Sequence, residues 1–217
     1  MNIIKKIEKH FNLVTVFALT LSLILCFLAD GFAAADDVKD SCLRLHILAA
    51  SDSEEDQRVK LLVRDALLEK GADIFTGNAS AKEAAIQIEK NKEILEETAD
   101  RILKENGMDY KSSISITDEY FDTRQYDGIT LPSGTYKACK VILGEGEGHN
   151  WWCIMFPPLC LPAATKAEDE AYAVFGENGG NLVTGKDGYV IKFRIVEIAG
   201  QVIDAIKSRI SENNTSA

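Results

Sequence analysis

Residues 42–48 read CLRLHIL, and residues 49–71 follow directly as AASDSEEDQRVKLLVRDALLEKG. The first stretch alternates, so a strand would place Leu43, Leu45 and Ile47 on one face and Arg44 and His46 on the other. The second opens with Ser51 and Glu54, or Asp52 and Glu55, at capping-box spacing. Val59, Leu62, Val63, Ala66 and Leu67 then recur at helical spacing, and Gly71 is placed to stop the helix. A strand, a turn and an amphipathic helix begin the folded part of the chain.

Outward from that unit, residues 80–106 predict a second helix with Ile88, Leu95, Ala99 and Ile102 on one face and Gly107 after its end. The period then drops to two in SSISITDEYF (112–121), YKACKVIL (136–143) and WWCIMF (151–156), which predict antiparallel strands. Asp127-Gly128 and Pro132-Ser133-Gly134 mark one connection, and GEGEGHN (144–150) reads as a flexible hairpin connection. Residues 164–175 predict a helix, 176–188 a loop, 189–198 a strand, and 199–210 a last helix. The class is α+β: an N-terminal strand and two helices, a three-strand antiparallel region, then a C-terminal strand plus helices.

Before this domain, Lys5, Lys6 and Lys9 precede an uncharged run from Leu13 to Ala29, closed by Asp30. Its length lies between a signal-peptide apolar region and a membrane span. Ala33-Ala34-Ala35 supplies an A-x-A site, so residues 1–35 are read as a signal peptide cleaved after Ala35, with an uncleaved anchor as the alternative. Residues 36–211 form a single exported domain, and 212–217 a frayed tail. Across 217 residues, 24 Lys and Arg stand against 34 Asp and Glu, a formal charge of −10. That acidity argues against nucleic acid and confines membrane contact to the N-terminal segment.

Four of the five cysteines lie beyond the leader: Cys42, Cys139, Cys153 and Cys160. Four allow three connectivities, and export favours disulfides. Cys153 and Cys160, with Pro157-Pro158 bending the chain between them, are the expected pair. Zinc-knuckle spacing is missing, and no cofactor or metal is implied.

The acid run from Asp52 to Asp56 is accounted for by helix capping, with a partner-facing edge as the functional reading. Gly144, Gly146 and Gly148 alternate with Glu145 and Glu147, which would repel a phosphate. Adjacent Trp151 and Trp152 on a strand point to opposite faces, so one fills the core and the other faces solvent or a partner. With His149, Phe156, Pro157 and Pro158 they make a candidate apolar contact. His46, Asp52, Asp56 and Arg64 make a second, polar one. The exported part holds only His46 and His149, so a Ser-His-Asp or Cys-His hydrolase would have to use one of them; neither G-x-S-x-G nor H-E-x-x-H occurs, and nothing points to an Asp-based or metal-assisted hydrolase. An exported hydrolase of septal peptidoglycan or peptide, using one of these histidines, is the alternative to a binding protein.

The stretches RLHILAASDSEEDQRVKLLVRDALL, GEGEGHNWWCIMFPPLC and KFRIVEI, in this order behind an export segment, resemble the stage II sporulation protein R family of endospore-forming Firmicutes. Ala50 stands where the family motif carries Asn. The resemblance implies a signalling protein without catalysis of its own. Such proteins are made in the forespore and exported between the two septal membranes. There they trigger a membrane-embedded aspartic protease of the mother cell, from its extracytoplasmic side, to process the precursor of sigma-E.

Overall fold

A computed structural model describes residues 2–75, 80–126, 128–157 and 167–186, with 189, 190, 193–195, 197, 198, 201 and 202 beyond them; at 2–10, 27, 28 and 167–170 it describes the backbone alone. A long helix α1 (Asn2–Ser41) leads through Cys42 into strand β1 (Leu43–Leu48). Helices α2 (Glu54–Ile74), α3 (Ala81–Lys90) and α4 (Lys92–Glu105) follow. Next come β2 (Ser112–Phe121), the short β3 (Arg124–Tyr126) and β4 (Ile129–Leu131), β5 (Gly134–Leu143), β6 (Asn150–Phe156) and α5 (Ala167–Thr184). The class is α+β.

The sheet is mixed, in the order β2-β5-β1-β6. Strand β1 runs parallel to β5, with Leu45 opposite Cys139, and antiparallel to β6, with Leu45 opposite Cys153. This corrects the expected three-strand antiparallel region: the N-terminal strand is inserted at its centre. It also corrects the hairpin, because β5 and β6 do not pair. Residues 144–149 instead cross the end of β1, where Gly148 N–H donates to Ala49 O at 2.9 Å. A Cβ on Gly148 would stand 2.2 Å from Ser51 O, so only glycine lets the two backbones approach this closely.

Leu43, Leu45 and Ile47 face the helices and join Val59, Val63, Leu67, Ile88, Leu95, Ala99 and Leu103 in the main core. Each of the Val, Leu and Ile side chains contributes about 1.5–3 kcal/mol by leaving water, and the Ala99 methyl correspondingly less. Gly71 does not end α2; it is buried, and a Cβ there would stand 2.9 Å from Met155 Cε, so glycine serves close packing of helix on sheet. The single helix expected over 80–106 divides at Asn91, whose Nδ2 donates to Gln87 O at 2.8 Å. Ser80 and Glu83 complete a capping box on α3, worth on the order of 1 kcal/mol.

Among the described residues, the other face of the sheet is covered at one end only. There Val38 of α1, Phe121, Tyr136, Ile154, the β3–β4 ribbon and α5 form a second core. The loop expected over 176–188 is largely helical, since α5 continues to Thr184 after a break at Gly176 (φ 67°). Described residues within 189–202 are helical rather than a strand. Tyr189, Phe193 and Glu197 are buried at four-residue spacing, which a helix satisfies and an alternating strand does not. The final expectations, a helix to residue 210 and a frayed tail, lie mostly outside the described residues.

Candidate functional site

The end of the second sheet face that no other described element covers carries the first cluster. His46 (5% exposed) donates from Nδ1 to Glu119 Oε2 at 2.6 Å, and its Nε2 lies 2.9 Å from Asn150 Oδ1. Trp152, its cross-strand neighbour on β6, stacks on the imidazole at 3.6 Å between ring centroids and 16° between planes. Trp152 also meets the edge of Phe121 at 4.8 Å. Lys140 of β5 pairs with Glu119 Oε1 at 2.8 Å. Burial works to raise the Glu119 pKa, but hydrogen bonds from Lys140 and His46 outweigh it and hold the carboxyl below its usual range. Ser113 and Ser115 are exposed beside this cluster on the same face.

Under it sits Arg44, fully buried. Its Nε donates to Cys153 O at 3.1 Å and an Nη to the Tyr126 hydroxyl at 2.7 Å. The guanidinium carbon lies 4.1 Å from the Phe121 ring centroid and 5.0 Å from that of Tyr136. This aromatic cage is how the fold tolerates a buried cation.

A second cluster ties the two most distinctive sequence stretches together at the end of β1. Asp52 accepts from the backbone N–H of His149 at 2.6 Å and from its ring Nδ1. Those bonds from His149 lower the Asp52 pKa. Lys60, buried and thereby lowered in pKa, reaches His149 O at 2.8 Å. Asp56 accepts from the Ser51 hydroxyl and, at 2.5 Å, from Tyr110. Burial alone would raise Asp56, and these bonds lower it instead. The helix cap is therefore Ser53, which accepts from Asp56 N at 3.1 Å. Of the two residues expected as caps, Asp52 is drawn away to brace the loop at His149, and the Ser51 hydroxyl donates to Asp56 instead.

The expected apolar contact and polar patch are distributed differently from their grouping in sequence. Neither Trp is fully exposed. Trp151 lies half-buried on the helix-covered side, with the Arg64 guanidinium 4.6 Å over its ring and its Nε1 lacking a partner among the described residues. Phe156 packs edge-on to Phe75 at 5.2 Å, and Pro157 is buried. Pro158 and Cys160 lie outside the described residues. Cys153 is disulfide-bonded, while Cys42 and Cys139 are buried free thiols that burial pushes up to about 12. His46 joins Trp152, Asp52 joins His149, Asp56 joins Ser51 and Tyr110, and Arg64 joins Trp151, so the four residues of the expected polar patch make separate contacts.

Glu119, Lys140 and Asn150 escape sequence reasoning, since no local spacing links them to His46. Arg44 carried one signal: an arginine alternating with aliphatic residues in a short strand. No metal-binding group of three or more His, Cys, Asp or Glu occurs among the described residues.

Against this geometry stand the relationships of the chain. A family model for stage II sporulation protein R matches residues 39–166, which hold both clusters and exclude the third stretch, 192–198. Stage II sporulation protein R of Bacillus subtilis (strain 168) is 34% identical over 124 residues, which are 57% of this chain and 55% of that protein. The match thus spans about half the length of that relative. No solved structure matches. With β1, the acidic turn and the loop that braces it all inside the matched residues, the chain belongs to the stage II sporulation protein R family.

Proposed function

We propose that this sporulation protein is an exported trigger that binds the extracytoplasmic face of a membrane-embedded aspartic protease and favours its active state, leading to processing of the sigma-E precursor. The observation that carries the reading is the open sheet end built from His46, Glu119, Lys140, Asn150 and Trp152. Its polar groups are locked in advance by hydrogen bonds and a ring stack, so little side-chain entropy is lost when a partner docks. Trp152 supplies the aromatic anchor that contact surfaces favour. A trigger acts only by binding the active state of its target more tightly than the inactive one.

The hydrolase reading draws on the Glu119–His46 pair, which resembles an oriented general base. Yet Nε2, the nitrogen that would take a proton, faces Asn150 rather than a hydroxyl or thiol. Binding is the better use of this geometry. The test is co-expression of the chain with the membrane protease and the sigma-factor precursor in non-sporulating cells. Shortened product only when the chain is exported supports the trigger. Absence of product with stable exported protein sinks it. Processing that survives His46→Gln together with His149→Gln removes the hydrolase.

A further inference from the structure

Helix α1 does not end where a leader would be cut. It runs unbroken from Asn2 to Ser41, and its apolar turns project away from the domain: Phe11 is 70% exposed, Leu13 66% and Leu23 71%. Every residue from 11 to 26 is exposed, so this apolar stretch packs against nothing in the domain that the structure describes. The same helix then enters the fold. Gly31, Ala34, Ala35 and Val38 are buried at i, i+3, i+4 and i+7, with Ala34, Ala35 and Val38 at 1% exposure or less.

The packing is close and specific. Ala34 and Ala35 form a small core with Leu182, Tyr189 and Phe193. A Cβ on Gly179 of α5 would stand 3.2 Å from Val38 Cγ2, so a glycine sits where the two helices touch. Lys39 lies against the start of β5, where a Cβ on Gly134 would come within 2.9 Å of its Cδ. Only Cys42 separates the end of α1 from the central strand β1. There is no slack segment between helix and domain.

A peptidase takes its substrate as an extended, accessible segment, and so must first open the local structure. Once the chain has folded, cleavage after Ala35 would require unwinding α1 and stripping Ala34 and Ala35 from their core. We propose that residues 1–35 remain on the working protein as a membrane anchor, rigidly continuous with the signalling domain. Ala29, the end of the apolar run, stands about 7.5 Å along the helix from buried Ala34, so the domain rides at the bilayer surface. The basic residues Lys5, Lys6 and Lys9 then stay on the cytoplasmic side.

This inference rests on the export reading above, and the experiment separates the two. The full chain, with a C-terminal epitope, is produced in a bacterium with an intact export pathway and signal peptidase. Protoplasts are labelled with antibody, membranes are washed with carbonate, and the intact mass is measured. The expected result is an external epitope on a carbonate-resistant species that retains residues 1–35. An external species beginning at Asp36 overturns the anchor and leaves the export reading standing. An epitope that antibody cannot reach overturns both.

Discussion

The two faces of β1 are made of alternate residues in one short strand, yet they meet different surroundings. Leu43, Leu45 and Ile47 lie under three helices in a continuous apolar core. Arg44 and His46, on the other side, are buried beneath aromatic rings and bounded by Glu119 and Asn150. The first face gives stability by area; the second holds polar groups in fixed geometry at the border of an open surface. Burial alone therefore does not separate the two faces, since His46 is almost as hidden as Leu45; what separates them is the polar partners that only the second face holds.

Truncating the apolar face is the largest expected perturbation. Leu45→Ala should cost about 2–5 kcal/mol, read as a fall in the urea midpoint, because the surrounding helices only partly collapse into the gap. A cost equal to that of a surface substitution would erase the distinction between the faces.

Gly148→Ala comes next, at about 1–3 kcal/mol, since the added methyl meets backbone that cannot move aside. Circular dichroism melts would register it. The loop would loosen from the end of β1, and Asp52 and His149 with it.

Glu119→Gln should cost about 2 kcal/mol at neutral pH through its charge-assisted bonds to Lys140 and His46. Because the folded carboxyl titrates below its unfolded value, this contribution is complete above the ordinary carboxylate range. It fades as pH falls through the lowered value. Urea midpoints of parent and variant should therefore converge on acidification, and a gap that widens instead would contradict the assignment.

His149→Gln is the smallest effect. The His149–Asp52 pair is largely exposed, and such pairs add little to stability. Its melting temperature should match the parent within error; a large drop would mean that the ring itself braces the loop.

Much of the fold was legible because it follows local rules. The alternation in 112–121 gave β2, and Val59, Val63 and Leu67 of the expected stripe do form the buried face of α2, whereas Leu62, placed in the same stripe, is exposed and Ala66 only half-buried. What sequence could not show depends on long-range pairing. Nothing in 42–48 says that β1 inserts between β5 and β6, and so 144–150 read as a hairpin although it spans a strand. Residues 189–198 are rich in Val, Ile and aromatics, which suit a strand, but tertiary packing of Tyr189 and Phe193 against α1 favours a helix. His46 and Trp152 were legible as candidates, whereas their meeting, and that of His46 with Glu119, needed the sheet register.

The direct test of the account is to block the open face without touching the core. Ser115 is exposed on that face, in the row of His46 and Lys140, and Glu69 is exposed on helix α2 across the sheet. In cells making the protease and the sigma-factor precursor, Ser115→Arg should abolish processing at unchanged protein level, while Glu69→Arg should leave it intact. Full processing with Ser115→Arg would contradict the assignment of this face to the partner.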